Sequence, residues 1–182
     1  MVVKANEDIN VAGNYPMRMP VALTTAVNFS EMKTSCSATE TLVAFSIGSG
    51  IGISIYDPVS AVGGILNFIL PESTNLNPAK SEKYPFMFAD TGIPAFLKAL
   101  IDLGAQSAHM KVVIAGGAHV LDQTGAFNIG HQNYQAAKSI IGANRLRIHH
   151  KDIGGIHPRT LRLEMNTGNS FICLPDQGET KI

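Results

Sequence analysis

Short apolar runs that end at turns dominate the chain after residue 40, and they predict β-strands. In residues 51–56 isoleucine alternates with glycine, serine and tyrosine, which is the period of a strand. The predicted strands are 42–46, 51–56, 65–70, 111–115, 145–150, 160–165 and 170–174. Residues 166–168 (Asn-Thr-Gly) are typical of a hairpin turn, so the last two strands are predicted to be antiparallel.

Two segments change to a helical period. Apolar residues in 90–103 recur at helical spacing, and Gly104 follows them as a C-terminal cap. A second helix is predicted over 130–141, with a buried stripe that includes Tyr134 and Ala137. Because strands outnumber helices, the predicted fold class is α+β, a layered domain of β-sheets with two main helices packed on it.

Residues 1–39 show little regular patterning, so we predict an irregular N-terminal segment followed by one domain over residues 40–182. Residues 72–87 are rich in Pro, Asn, Ser and Lys and are predicted to form a surface loop. The N-terminal segment lacks the unbroken apolar core of a signal peptide. Glycines and a Tyr-Asp-Pro turn interrupt the apolar block 42–70, so we expect a cytoplasmic protein without membrane insertion.

Charge and cysteine content narrow the function classes. Fourteen basic residues balance fourteen acidic ones, which gives no electrostatic footprint for nucleic acid or an anionic membrane. Cys36 and Cys173 are too few and too far apart for a disulfide framework or a zinc site, and Cys173 is predicted to be a core residue. His149 and His150 face opposite sides of a predicted strand, so they and His157 are not expected to bind a metal.

Glycine-rich turns mark the region with candidate chemistry. The run Gly48-x-Gly50-x-Gly52 follows a strand, but the third glycine of a dinucleotide fingerprint is missing and no helix follows. No cofactor is therefore expected. Gly116-Gly117 and Gly154-Gly155 are predicted to be turns that need a positive φ or close backbone approach.

Four segments, in order, resemble the chemoreceptor glutamine deamidase family, CheD. They are FSIGSG leading into SIYDP (45–58), VGGILNFILP (62–71), IAGGA with NIGxxN (114–118 and 128–133), and DIGG (152–155) before a strand hairpin. The resemblance covers about residues 40–175. It implies a layered α/β/β sandwich related to cysteine-dependent bacterial deamidase toxins. It also implies hydrolysis of receptor glutamine side chains to glutamate in bacterial chemotaxis.

The same resemblance implies three catalytic positions. The family has a cysteine nucleophile in a Gly-Ser-Cys turn, a histidine base on the Gly-Gly strand, and a threonine six positions before the cysteine. These positions are Gly50, Asn67 and Ala44 here, and none of them carries the group that the reaction needs. Gly50 has no side chain, and the amide of Asn67 does not accept a proton near neutral pH.

The leading hypothesis is therefore a family member that has kept the fold, has lost deamidation and acts by binding. The resemblance implies chemoreceptor helices or a CheC-type phosphatase as partners, and binding residues at Gly48, Ser49, Gly116 and Gly117. One alternative is an active deamidase with Cys36 as a relocated nucleophile. Another is a small-molecule-binding domain that uses the pocket vacated around Asn67.

Overall fold

In a computed structural model of the chain, the described residues are 23–74, 83–119, 128–175 and 177–182. The strands are β1 (Leu23–Ala26), β2 (Glu31–Ser35), β3 (Glu40–Ile47), β4 (Ile51–Asp57), β5 (Val62–Phe68), β6 (Lys111–Gly116), β7 (Ile148–Ile153), β8 (Arg159–Glu164), β9 (Ser170–Leu174) and β10 (Gly178–Lys181). The helices are α1 (Ala89–Asp102) and α2 (Ile129–Ala143), and short 3-10 turns occur at Pro85–Met87 and Ser107–His109.

The strands form two five-stranded sheets. The outer sheet has the order β1-β3-β8-β9-β10, and the central sheet has the order β2-β5-β4-β6-β7. All neighbours are antiparallel except β1 with β3 and β6 with β7. Both helices pack on one face of the central sheet, and the outer sheet covers its other face. The layers are therefore α/β/β, and the predicted fold class is confirmed.

The core occupies both faces of the central sheet. Every residue of β4 and β5 is buried, which explains why these strands have near-continuous apolar runs. One cluster joins the central sheet to the helices, with Phe96 and Leu100 among its members. A second cluster joins the two sheets. The hydroxyl groups of Ser54 and Ser170 also hydrogen-bond between the sheets at 2.7 Å.

Most of the predicted elements are confirmed. The first helix ends at Asp102, and Gly104 follows with a φ of +102°. Strand β7 begins three residues later than predicted, because Arg145 and Leu146 still donate backbone hydrogen bonds to the last turn of α2. Within the described residues no helix is long and apolar enough to cross a membrane.

The prediction of an irregular segment over residues 1–39 is wrong for its described part. Strand β1 runs parallel to β3, and β2 pairs with β5 at the edge of the central sheet. Both strands are short and partly exposed edge strands, so their polar residues give no alternating pattern. Residues 1–22, and residues 75–82 of the predicted surface loop, lie outside the described residues.

The turn after β4 is built around a buried carboxylate. Asp57 accepts backbone hydrogen bonds from Val59 and Gln106, each at 2.8 Å, and its side chain is fully buried. Burial raises the pKa of Asp57, but hydrogen bonds from Gln106, Val59 and Ser60 outweigh it and hold the pKa below its usual value. The ionised form of Asp57 therefore stabilises the fold.

Replacement of this carboxylate should destabilise the protein in a pH-dependent way. Asp57→Asn should lower the free energy of unfolding by about 1–3 kcal/mol at neutral pH, because a charged acceptor of buried amides is lost. A depressed pKa contributes stability above the unfolded pKa, and this is lost as the pH falls through the folded pKa, so the deficit should shrink in acid. Urea unfolding at neutral and at acid pH measures the loss in free energy of unfolding and its change with pH.

Asp102→Asn is the matched control, because that carboxylate is exposed on α1 and should change stability by less than about 0.5 kcal/mol. A deficit in Asp57→Asn that is equal at both pH values would contradict this account.

Candidate functional site

Four backbone segments meet at one end of the sheets, and we call this place the glycine junction. They are the β3–β4 turn (48–50), the end of β5 (67–69), the segment after β6 (116–118), and the first turns of α2 (130–133). Backbone hydrogen bonds join the first and third segments. The amide of Gly117 donates to the carbonyl of Gly50, and that of Ala118 to the carbonyl of Gly48, both at 2.8 Å.

Glycine is required where these backbones touch. Gly116 has a φ of +124°, and a Cβ atom there would overlap the carbonyl oxygen of Gly50. A Cβ atom on Gly130 would likewise overlap the carbonyl of Gly117, so the start of α2 lies directly on the turn after β6. The prediction that Gly116-Gly117 is a turn with positive φ and close backbone approach is confirmed.

A buried asparagine fastens α2 to the junction. The side chain of Asn133 donates from Nδ2 to the carbonyls of Ser49 and Ile69, both at 2.9 Å, and the residue is fully buried. Asn133 therefore holds the β3–β4 turn and the end of β5 together. Asn133 is the last residue of the family motif NIGxxN, but the motif alone predicted no role for it. A polar residue on the buried stripe with Gly130, Ala137 and Ile141 is the signal that identifies it.

The second glycine turn is linked to the junction by backbone hydrogen bonds, and an ion pair holds the turn in place. Gly154 and Gly155 have φ values of +86° and +71°, as predicted for a turn. Their backbone groups hydrogen-bond with Gly116 and His119. The guanidinium of Arg159, which is almost fully buried, donates to Asp152 at 2.9 Å and to the carbonyl of Gly154. The DIGG segment is thus fixed against the turn after β6.

The three positions that the resemblance implies as catalytic, Ala44, Gly50 and Asn67, are all buried. Ala44 lies on β3 in the cluster between the sheets. Asn67 lies on β5, and its register partner Gly52 faces Ile47 and Leu161 of the outer sheet. Asn67 therefore also faces the outer sheet, because cross-strand partners share a face.

The nucleophile position is closed by backbone. A Cβ atom on Gly50 would lie 2.6 Å from the carbonyl oxygen of Phe68 and 3.4 Å from Cγ2 of Ile69. A separation of 2.6 Å is too short for a real Cβ contact, and a strand carbonyl does not move aside cheaply. The predicted small-molecule pocket around Asn67 stays a prediction, but residue 50 contributes no space to it. The space that a nucleophile's first carbon needs is taken by β5.

Asn67 is a buried amide without a visible partner. Its side chain is 1% exposed, and among the described residues neither Nδ2 nor Oδ1 has a hydrogen-bond partner. A buried polar group left unpaired destabilises a fold, so such groups are rare and warrant a physical explanation. Asn67 is consequently the one family catalytic position that still presents polar atoms.

The other candidate nucleophiles, Cys36 and Ser49, are both exposed. Cys36 is exposed and follows β2, whose residue Ser35 pairs with Gly63, four residues before Asn67 on β5. At the rise of a β-strand this separates Cys36 from Asn67 by roughly 13 Å or more. Ser49 is exposed in the β3–β4 turn, with its carbonyl bound by Asn133.

Cys173 is half-buried, and its neighbour Ile172 faces the core between the sheets. Successive strand residues face opposite sides, so Cys173 points to the outer face and the prediction of a core residue is wrong. His149 accepts a hydrogen bond at Nδ1 from the amide of Val112 at 3.2 Å. In the described part of the chain no three His, Cys, Asp or Glu side chains are grouped as metal ligands.

Comparison with known proteins places the chain among chemotaxis proteins. The family model described as "CheD chemotactic sensory transduction" matches residues 69–173, a segment that begins after all three catalytic positions. "Probable chemoreceptor glutamine deamidase CheD 1" of Syntrophus aciditrophicus (strain SB) is 42% identical over 146 residues, which are 80% of this chain and 91% of that protein. "Probable chemoreceptor glutamine deamidase CheD" of Solibacter usitatus (strain Ellin6076) is 36% identical over 155 residues, which are 85% of this chain and 90% of that protein.

The two buried asparagines should respond oppositely to the same substitution. Asn133→Leu should lower the free energy of unfolding by about 1–3 kcal/mol, because the carbonyls of Ser49 and Ile69 lose their buried donor. Asn67→Leu should leave it unchanged or raise it by about 1 kcal/mol, because an unpaired amide is replaced by an apolar group of similar shape. Chemical denaturation of both variants measures the difference. A loss in Asn67→Leu as large as that in Asn133→Leu would show that the Asn67 amide is bound in solution.

Proposed function

The chain belongs to the CheD family of chemoreceptor glutamine deamidases, and on that premise we propose that it binds chemoreceptors but is impaired as a deamidase. The observation that carries the proposal is the glycine junction itself. The junction keeps the family's turns and strand ends, while the three catalytic positions are Ala44, Gly50 and Asn67.

The impairment follows from the chemistry of amide hydrolysis. A cysteine amidohydrolase needs a thiolate that attacks the side-chain carbonyl and an imidazole that takes and returns the proton. Loss of the nucleophile from such a unit costs about 10⁶ in kcat, and loss of the base then adds little. Neither Gly50 nor Asn67 supplies these groups, and the carbonyl of Phe68 occupies the space for a new side chain at residue 50.

Backbone donors do not compensate at the junction. The amides of Gly117 and Ala118, which lie beside the nucleophile position, already donate to the carbonyls of Gly50 and Gly48. An oxyanion site needs free donors aimed at the developing charge. These two amides hold the fold instead and are not free to act as oxyanion donors.

Exposed apolar side chains near the junction support binding to a helical partner. Phe45 is 54% exposed at a bulge in β3, and Ile156 is 66% exposed in the loop before β8. The register pair Ile47 and Arg159 lies between them along the two antiparallel strands, because Phe45 comes two residues before Ile47 and Ile156 three residues before Arg159. Exposed apolar side chains near a family site suit the apolar face of a helix. The proposed partners are the cytoplasmic helices of a chemoreceptor and a CheC-type phosphatase.

Two other functions are less well supported. An active deamidase with Cys36 as nucleophile requires the thiol to reach the opposite end of β5, roughly 13 Å or more from Asn67. A small-molecule site around Asn67 has one observation in its favour, the two unpaired polar atoms of that amide. Such a ligand would turn the expected response of Asn67→Leu into a loss of stability.

The proposal predicts binding to a chemoreceptor without conversion of its glutamines. The purified chain would be incubated with a receptor cytoplasmic fragment, and peptide mass spectrometry would measure the glutamine that becomes glutamate. We expect conversion no higher than in the fragment alone, while a family member that carries the cysteine and histidine serves as positive control. Binding of the chain to an immobilised receptor fragment should be detectable. The double variant Phe45→Asp and Ile156→Asp should bind the fragment more weakly.

Cys36→Ala is the matched variant for the alternative. If the parent converts glutamine and Cys36→Ala does not, Cys36 is the relocated nucleophile. If both proteins convert glutamine, the impaired deamidase and the relocated nucleophile are both contradicted. Absence of conversion together with absence of any complex would overturn the binding role.

A further inference from the structure

One region of this electrically neutral chain carries only positive charge. Residues 128–151 contain two lysines, two arginines and no aspartate or glutamate, so their formal charge is four minus zero, +4. Three histidines lie in the same segment, His131, His149 and His150. All of these charged side chains and histidines are exposed.

Four of these residues line a groove between α2 and β7. The groove has a volume of about 460 Å³ and is lined by Tyr134, Lys138, Ile148, His149, His150 and Lys151. The ammonium group of Lys151 donates to the hydroxyl of Tyr134 at 3.1 Å and lies 5.4 Å from the centre of its ring. The groove thus has an aromatic and aliphatic surface with a lysine on each of its two walls.

The wall formed by β7 is also the edge of the central sheet. Strand β7 pairs with β6 on one side, and among the described residues no strand pairs with its other side. The outer edge of such a strand presents backbone donors and acceptors to an added chain. Positive side chains on the edge repel a second copy of the same edge, but they attract a strand that carries carboxylates.

We propose that β7 and this groove bind an extended acidic segment of a partner protein. The segment adds to the central sheet as a sixth strand beside β7, and its carboxylates lie near Lys138 and Lys151. Main-chain hydrogen bonds supply the alignment, and the charges select acidic segments over others. This site does not depend on the chemistry at Gly50 and Asn67.

A polypeptide fits this surface better than a nucleic acid does. An edge strand recognises a peptide backbone, which a nucleic acid lacks. Nucleic-acid affinity comes from the neutralisation of many phosphates, whereas this patch has four fixed cations on a chain with no net charge.

The test measures binding of a labelled short peptide of alternating glutamate and valine to the full chain by fluorescence anisotropy at low salt. We expect saturable binding that weakens with added salt, and none for the same peptide with lysine in place of glutamate. The double variant Lys138→Glu and Lys151→Glu should bind the peptide at least about tenfold more weakly than the parent does. The control Lys98→Glu and Lys181→Glu makes the same change of charge elsewhere and should bind within about twofold of the parent.

Strand addition is tested separately from charge attraction. A glutamate-valine peptide with alternate backbone nitrogens methylated keeps its charge but loses its donors, so it should bind much more weakly. Amide hydrogen exchange should slow in β7 with the unmethylated peptide only. Equal binding of both peptides would overturn strand addition, and stronger binding of a single-stranded oligonucleotide would overturn the choice of a polypeptide. Absence of binding would mean that the charges serve only to keep this edge from pairing.

Discussion

Close contact between backbones holds the functional end of this protein together. At Gly116 and Gly130 the neighbouring carbonyls approach to where any Cβ atom would lie, so the turn after β6, the β3–β4 turn and α2 pack without intervening side chains. Asn133 adds two hydrogen bonds to the same carbonyl-rich region. The positions of the central sheet, the outer sheet and α2 relative to one another at this end all follow from that contact.

A further close backbone approach, at Gly50, bears on the proposed function. A family whose chemistry needs a cysteine in the β3–β4 turn requires room for its Cβ atom, yet in this chain the carbonyl of Phe68 lies 2.6 Å from that point. On the proposed function, residue 50 lacks the nucleophile, and the carbonyl of Phe68 occupies the place that its Cβ atom would take. Asn67 remains as a buried amide facing the outer sheet, with polar atoms that the described residues do not satisfy. We therefore propose that the chain has kept the backbone of the site and lost its chemistry.

The sequence predicted those parts of the fold that rest on local pattern. Strands β4 and β5 are buried on both faces, so their long apolar runs identify them directly. Strands β1, β2 and β10 are short, polar edge strands, whose formation depends on pairing with partners distant in sequence. The motif order located Ala44, Gly50 and Asn67, because turns and strand ends have recognisable spacing. The lack of space for a Cβ atom at Gly50 was not predictable, since it depends on where the carbonyl of Phe68 lies.

Residue 50 has no space for the Cβ atom of a nucleophile, and restoring the three side chains tests whether this holds. Receptor glutamine conversion would be compared between a triple variant with Ala44→Thr, Gly50→Cys and Asn67→His and a double variant that keeps Gly50. The account predicts that the triple variant either fails to fold or folds without converting glutamine above the level of the double variant. Conversion well above that level by the folded triple variant would show that the backbone still accepts the cysteine, and would contradict the account.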